Sequence, residues 1–394
     1  MPTVHFPSSA RGHRYRVGIV STYPPQVCGL ATFAAALGGS LAATGHTVEI
    51  VRLLDGTPDA LPARLPVIGD IVHGDVRSLH RAARRLSLCD TVIVQHEFGI
   101  YGGDDGCEVL DLVDAIAAPV LTVLHTVPTN PTPNQHRIIA ALCERSAAVV
   151  VMSAAAHQRL LDQYPVDAAR LAVIPHGAVT TSITSRSDHE RARTHAAPQL
   201  LTWGLIGPGK GIEHVIDAMG LLHHVCPMPH YTVAGVTHPK VLAGSGDGYR
   251  QSLVQRAARN GLADHVHFDA SYRDVATLTR FIASAAVVVL PYDSREQVTS
   301  GVLVDSLAAG RPVIATAFPH AVELLSGGAG LVVPHDDQAA LADAIRLVAS
   351  EPDRLVAMSA AARRVAPTLS WSAVALSYVD RIDRFFAVQA AAAG

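Results

Sequence analysis

The strongest constraint on the fold is a strand–helix alternation that runs twice along the chain, with a polar interruption between the two runs. The strand-like segments are short, rich in β-branched residues and apolar throughout, which is typical of parallel strands buried on both faces. Such an alternation predicts a parallel sheet covered by helices on both sides. Residues 180–198 are polar, carry five charges and have no apolar periodicity, so they predict an exposed linker.

Each run contains six predicted strands. Strands are predicted at 15–20, 47–53, 91–95, 120–124, 147–152 and 171–174, then at 200–205, 231–235, 266–268, 287–291, 313–315 and 330–333. Helices are predicted at 30–44, 76–88, 133–145, 211–225, 248–260, 275–284 and 301–309, and at 372–386 in a helical tail. The predicted units are a first domain (1–179), a linker (180–199), a second domain (200–370) and a C-terminal helix (371–394). Two tandem doubly wound domains predict a ligand in the cleft between them, at the carboxyl ends of the strands.

Composition narrows the class of protein. The 31 basic and 34 acidic residues nearly cancel, which argues against a nucleic-acid binder or a polybasic membrane protein. The 49% of apolar residues is ample for a folded core. No apolar run reaches the roughly 18–20 residues of a membrane span, and the N-terminus lacks the apolar region of a signal peptide. Five scattered cysteines without a C-x-x-C pair predict reduced thiols and a cytoplasmic protein.

Three polar loops follow strands of the first domain. In the loop 21–30, Gly29 lies at the start of a predicted helix. Its turn either lets backbone N–H groups approach an anionic ligand or is a tight turn that binds no ligand. His96 and Glu97 lie adjacent in QHEFGIYGG, which suits a polar ligand or a capped loop. The zinc pattern H-E-x-x-H fails there because Ile100 occupies the second histidine position, so no metal is predicted. His125 follows the strand 120–124. A lone histidine is more often a core residue than a catalyst, but its place at a strand end in the predicted cleft shifts the interpretation toward function.

Two motifs of the second domain point to a phosphorylated ligand. Residues 204–211, GLIGPGKG, combine backbone donors with the Lys210 ammonium at a helix start, which suits a diphosphate. This is not a Walker motif, since Gly211 stands where Ser or Thr is required. Residues 297–310, QVTSGVLVDSLAAG, lead polar groups into a helix that carries Asp305. On the residues alone, the favoured interpretation of Asp305 is a solvated helix residue.

Together these motifs resemble the GT-B glycosyltransferases, in particular glycosyltransferase family 4. The resemblance covers most of the chain, in the order GHTV at 45–48, HTV at 125–127, IPHG at 174–177, the glycine-rich Lys210 motif, GRPV at 310–313 and LSW at 369–371. It implies two Rossmann-like domains with an interdomain cleft and a last helix that crosses back to the first domain. It also implies transfer of a sugar from a nucleotide-diphosphate donor to a carbohydrate or other hydroxyl acceptor, with retention of configuration and without a bound metal or other cofactor.

The resemblance assigns roles to individual positions. On the donor side, Lys210 would hold the diphosphate and Asp305 the ribose hydroxyls. The hexose and phosphate would contact Gln297 and the amides around Ser300 and Gly301, while Gly29 would let the first loop close. On the acceptor side, His125 would lie beside the transferred sugar, and Glu97 and His125 are candidates to orient or deprotonate the acceptor, with His96 as a further polar contact.

Three positions depart from the family pattern. Leu205 stands where the family has an arginine, and Gln297 and Asp305 replace paired glutamates. A bidentate guanidinium contact to phosphate is strong, so its loss calls for a substitute, and Arg273 and Arg295 are candidates.

Alternatives stay open on the sequence alone. A sugar phosphorylase, a nucleotide-sugar epimerase and a non-catalytic scaffold would share the fold, whereas a dinucleotide-dependent oxidoreductase lacks its G-x-G-x-x-G fingerprint. GDP-mannose and UDP-glucose are both candidate donors. A lipid-linked acceptor at a membrane surface stays open, although no basic amphipathic helix supports it. The acceptor and the oligomeric state are undetermined.

Overall fold

The computed structural model describes residues 13–26, 28–56, 64–180, 197–271 and 273–393, without the side chains of residues 240, 392 and 393. Within them the first sheet contains seven strands: β1 (Arg16–Ser21), β2 (Thr47–Leu54), β3 (Val67–Val72), β4 (Thr91–His96), β5 (Val120–Leu124), β6 (Ala148–Val151) and β7 (Leu171–Val173). The second contains six: β8 (Gln199–Trp203), β9 (His230–Ala234), β10 (Val266–Asp269), β11 (Val287–Leu290), β12 (Val313–Thr316) and β13 (Gly330–Val333).

Helices connect the strands of both sheets. Along the first sheet they are α1 (Gly29–Ala43), α2 (Val76–Leu86), α3 (Glu108–Ala115), α4 (Pro133–Arg145) and α5 (Ala154–Gln163). The remaining described helices are α6 (Ile212–Gly220), α7 (Pro239–Ser245), α8 (Gly248–Arg259), α9 (Val275–Ser284), α10 (Gly301–Ala308), α11 (Pro319–Leu325), α12 (Gln338–Ser350), α13 (Pro352–Val365) and α14 (Trp371–Ala393).

Both sheets are parallel and doubly wound. The first has the order β3-β2-β1-β4-β5-β6-β7 and the second β10-β9-β8-β11-β12-β13. The order reverses between β1 and β4 in one sheet and between β8 and β11 in the other, and such a switch point opens a crevice outside the carboxyl ends of the strands. The predicted α/β class with two Rossmann-like units is confirmed.

Several elements differ from the sequence expectation. The strand β3 was not predicted, because it lies at the sheet edge, is mostly half-buried, and is interrupted by Gly69 and Asp70. The helices α3 and α5 were also missed, and α6 ends at Gly220 rather than at residue 225. Of the predicted linker 180–199, residues 181–196 lie outside the described residues.

The last helix returns to the first domain, as the resemblance implies. On α14, Val374 and Tyr378 are fully buried in the same apolar cluster as Phe33 of α1. The Tyr15 hydroxyl donates to the Asp383 carboxylate at 2.5 Å. Within the described residues, no helix combines the length and the apolar character needed to cross a membrane.

Candidate active site

The carboxyl ends of the two sets of strands lie beside a direct contact between the domains. The backbone N–H of Thr129, after β5, donates to the Glu296 carboxylate at 3.4 Å. The Arg159 guanidinium of α5 reaches the carbonyl oxygens of both Val127 and Glu296, at 2.5 and 3.4 Å. The loop after β11 therefore touches the first domain, so loops at the carboxyl ends of the two sheets meet at the domain interface.

His125 is held by a neutral amide. Its Nε2 lies 2.6 Å from the Gln95 amide oxygen, and its ring makes an edge contact with Phe33 at 4.9 Å between centroids. Burial, together with the nearby His176 and His96, lowers the pKa of His125 to about 3. With Gln95 accepting the Nε2 proton, the neutral ring keeps Nδ1 as an acceptor.

The structure ties Glu97 to Thr126, the residue that follows His125. The Glu97 carboxylate accepts hydrogen bonds from the Thr126 hydroxyl at 2.5 Å and from the Phe98 N–H at 3.1 Å. His96, in contrast, is buried beside Phe98, and neither ring nitrogen has a hydrogen-bond partner among the described residues. Burial lowers the pKa of His96 to about 4, so the ring is neutral.

His176 brings the first domain against the second. Its Nδ1 lies 2.7 Å from the Gly177 carbonyl oxygen, and burial lowers its pKa to about 4. A β-carbon added at Gly301 would lie 3.2 Å from His176 Nε2, so the ring abuts the start of α10. The sequence marked the IPHG motif but assigned no role to this histidine.

His320 is a site residue that the sequence reasoning missed. It is buried, and its Nδ1 accepts a hydrogen bond from the Ser300 N–H at 2.9 Å. Burial, with a smaller contribution from His176, lowers its pKa to about 3. The signal that found His125, a histidine shortly after a buried strand, also exists here, since His320 follows β12.

Lys210 lies in a loop that requires glycine. Gly211 has φ +64°, and a β-carbon there would lie 1.7 Å from the Pro291 carbonyl oxygen. The Lys210 Nζ lies 4.5 Å from the centroid of the Tyr292 ring, and no carboxylate within the described residues pairs with it. Burial lowers the pKa of Lys210. The ammonium is thus partly desolvated and lacks a counter-ion from the described protein.

The start of α10 offers donors beside this ammonium. The Ser300 hydroxyl caps the helix by accepting from the Leu303 N–H at 3.3 Å, and the Gln297 amide donates to the Thr299 carbonyl oxygen at 3.0 Å. The N–H groups of Gly301 and Val302 belong to the first turn, where a helix supplies no acceptor. Tyr292 lies under Lys210, and burial raises the pKa of its hydroxyl while the nearby Ser300 side chain opposes this shift, so the two features are neighbours.

Asp305 lies one turn further along α10. Its side chain is partly exposed, and none of the described residues forms a hydrogen bond or ion pair with its carboxylate. Burial raises the pKa of Asp305 to about 7, because nothing nearby compensates the ionised form. An unpaired carboxyl group in this position suits a ligand that donates hydroxyl hydrogen bonds.

The remaining predicted residues are placed differently. Arg273 is ion-paired with Asp269 and its guanidinium stacks on Phe281. Arg295 pairs with the exposed Asp336 at 2.5 Å. Both guanidinium groups are therefore already bound to carboxylates. Gly29 begins α1 at the surface, and a β-carbon there would contact nothing within 4 Å. In the described part of the chain, no group of three or more potential ligand side chains is arranged to hold a metal ion.

Two facing, doubly wound domains with a helix that returns to the first define the GT-B class of fold. Solved structures agree: Anabaena HepE, in complex with UDP, matches with a TM-score of 0.73 at 16% identity, over 94% of this chain and 100% of that one. Sucrose-phosphate synthase from Thermosynechococcus elongatus matches with a TM-score of 0.71 at 19% identity, over 95% and 100%. At these identities the likeness shows the fold alone.

Sequence comparison shows the family. Residues 27–182 match the family described as Glycosyltransferase Family 4, and residues 197–351 match Glycosyl transferases group 1. D-inositol 3-phosphate glycosyltransferase of Streptomyces coelicolor is 30% identical over 259 residues, which is 62% of this chain and 54% of the relative. The same enzyme of Streptomyces avermitilis is 32% identical over 139 residues, or 35% and 29%. The matches thus span about half of a relative's length at most. The chain belongs to the family 4 glycosyltransferases.

Proposed function

We propose that this family 4 glycosyltransferase transfers a hexose, mannose or glucose, from a nucleotide-diphosphate sugar to a hydroxyl group of a carbohydrate or similar acceptor. The observation that carries the proposal is the Lys210 ammonium, which has no carboxylate partner in the described chain and lies over the Tyr292 ring, near Ser300 at the start of α10. A cation and free helix N–H groups together match the oxygens of a diphosphate.

The donor would extend from this phosphate site in two directions. Asp305 would accept hydrogen bonds from the ribose hydroxyls, and Gln297 would bond a hexose hydroxyl as donor and acceptor. The fold neighbour HepE has been solved with UDP-glucose, and two relatives are inositol phosphate glycosyltransferases, which supports a nucleotide sugar in general. GDP-mannose and UDP-glucose are the donors we propose to test first.

The proposed mechanism is electrostatic. As the glycosidic bond breaks, negative charge develops on the leaving diphosphate, and preorganised donors aimed at it lower the barrier. Lys210 and the amides of Gly301 and Val302 would supply this stabilisation without a metal. We further propose that the transferred sugar keeps its anomeric configuration, as the family resemblance implies.

The first domain would orient the acceptor. A histidine whose pKa lies near 3 is a weak base, so we assign His125 to hydrogen bonding through Nδ1 rather than to deprotonation. Glu97, tied to Thr126, is the better placed carboxylate for the acceptor hydroxyl. The five free cysteines support a cytoplasmic location for the enzyme.

A donor screen tests the proposal. UDP-glucose, GDP-mannose, UDP and GDP are each titrated into the protein by calorimetry, with and without EDTA, and release of free nucleotide is followed with acceptor mixtures. We expect one nucleotide series to bind with EDTA present and to release nucleotide when acceptor is added. Binding of none of them would refute the proposal and favour a non-catalytic scaffold. Phosphorolysis of a sugar without nucleotide would favour the phosphorylase instead.

A further inference from the structure

The loop of residues 297–300, called here the donor loop, is held at both ends by one residue of α11. The backbone N–H of His320 donates to the Gln297 carbonyl oxygen at 3.3 Å. The His320 ring accepts the Ser300 N–H through Nδ1 at 2.9 Å, and the side chain is 1% exposed. His320 therefore spans the loop and fixes the direction from which Ser300 starts α10.

The same loop is inserted into the other domain. Val298, between the two anchored residues, is buried in the apolar cluster of the first domain that includes Val94, Leu124 and Val127. Gly301, directly after the loop, lies against His176. The donor loop thus belongs to the second domain by sequence but takes part of its packing from the first.

The helix α11 also contacts the first domain through a second residue. The Glu323 carboxylate accepts hydrogen bonds from the backbone N–H groups of Ala154, at 3.0 and 2.9 Å, and of Ala155, at 3.3 Å. These groups begin α5, where the helix dipole favours a negative charge. His320 and Glu323 are three residues apart, so neighbouring positions of one short helix connect to the donor loop and to α5.

We infer that α11 couples the docking of the two domains to the geometry of the donor loop, with His320 as a positioning residue and Glu323 as the tie to the first domain. The inference rests on the proposed function, because it assigns the loop to donor binding. When the domains separate, the Glu323 and Val298 contacts are lost together. The loop then keeps only its bonds to His320, and its affinity for nucleotide falls.

One pair of variants isolates the His320 hydrogen bond. In His320→Asn the Oδ1 atom is as many bonds from Cα as Nδ1 and still accepts the Ser300 N–H, whereas His320→Leu has similar bulk and no acceptor. For whichever of UDP and GDP binds the native protein, we expect the leucine variant to bind about tenfold more weakly. The asparagine variant should stay near the native affinity. Equal weakening in both variants would overturn the positioning role.

A second pair tests the tie to α5. Glu323→Ala removes the hydrogen bonds to Ala154 and Ala155 without touching the donor loop, and we expect nucleotide affinity to fall about fivefold. Asp343→Asn is the matched control, because among the described residues that carboxylate forms only an exposed pair with Arg346. Unchanged affinity in Glu323→Ala would overturn the coupling.

Hydrogen exchange separates this inference from the proposed function, because it needs no ligand. In the nucleotide-free protein, amides of the segment 297–303 should exchange faster in His320→Leu and Glu323→Ala than in the native protein, His320→Asn or Asp343→Asn. If the two test variants exchange faster but the native protein binds no nucleotide, the donor role of the loop is refuted. The coupling between domain docking and loop geometry is then still supported. Unchanged exchange in both test variants would refute the coupling, even if the native protein binds nucleotide.

Discussion

The histidines at the domain interface and the charged groups of the donor side differ in whether the protein supplies their interaction partners. His125, His176 and His320 each hydrogen-bond with a protein group, and burial keeps all three rings neutral. Lys210 and Asp305 are also partly buried, but neither has an oppositely charged partner among the described residues. Desolvated charges without partners destabilise a fold, so the donor side is organised for a ligand that compensates them.

Changes in pH also affect the stability of the two regions in opposite directions. Acid should destabilise the histidine region, because neutral buried rings must become charged. Base should destabilise the donor side at Asp305, whose pKa of about 7 means that the carboxyl group ionises there only with difficulty. Each prediction below is designed so that the effect of one region is read separately from that of the other.

The largest effect should come from acid acting on the four histidines whose pKa values are lowered by burial, the three at the interface and His96 of the first domain. The folded-state pKa values of His96, His125, His176 and His320, about 3 to 4, lie below the usual 6.5. Their contribution to stability is therefore complete above pH 6.5 and is lost as pH falls towards 4. From about pH 7.5 to about pH 5.5, protonation of each histidine in the unfolded state lowers the free energy of unfolding by up to about 1.4 kcal/mol. All four histidines together lower it by about 5 kcal/mol.

Chemical denaturation at the two pH values measures this loss. The Asp305→Asn background gives the clearer reading, since protonation of Asp305 acts in the opposite direction over the same range. An unfolding midpoint that does not change between the two pH values in this background would contradict the burial of four neutral rings.

A smaller effect is expected when the donor-side cation is removed. Lys210→Ala should weaken binding of UDP or GDP by about 10- to 100-fold, because a hydrogen bond to a charged group contributes roughly 1.5–3 kcal/mol. Calorimetry measures the affinity, and Lys240→Ala, at the other lysine of the chain, is the control. If Lys210→Ala kept the native affinity, the diphosphate would lie elsewhere.

The smallest effect should be a gain in stability from Asp305→Asn. Because the folded-state pKa of Asp305 is raised, the ionised form destabilises the free protein increasingly as pH rises from about 4 to about 7. The full pKa shift corresponds to about 4 kcal/mol, but the side chain is partly exposed and solvent screening reduces the effect. We therefore expect the variant to be more stable by about 1 kcal/mol near pH 8 and no different near pH 4, while it binds nucleotide more weakly. Melting temperatures across this range provide the test, and a stability difference that is independent of pH would count against an unpaired carboxylate.

The sequence predicted the fold well where local signals are strong. The strands β5 and β13 and the helices α4 and α9 have their predicted bounds. The two helices begin at capping residues, Thr132 and Asp274, whose side chains accept backbone N–H groups. The edge strand β3 was missed because an edge position needs no continuous apolar run.

For the candidate site, the sequence located residues but not their partners. It placed His125 directly after a strand and Lys210 in the loop before a helix, where the structure has them. It did not reveal that Gln95 holds His125, or that His320 holds Ser300 across 20 residues. It also left Arg273 and Arg295 as phosphate candidates, whereas the structure pairs them with Asp269 and Asp336.

The sequence by itself determined the parallel α/β class, the two-domain order and the positions of the polar loops, because apolar periodicity and capping act between residues close in the chain. Only the tertiary structure decided which polar groups find a partner within the protein and which remain available to bind a ligand. That outcome depends on distances of 3–4 Å between side chains from different strands and domains, and no local pattern encodes such distances. The glycine-rich loop therefore indicated Lys210 as a candidate for phosphate binding. Only the fold showed that no carboxylate in the described residues pairs with its ammonium group.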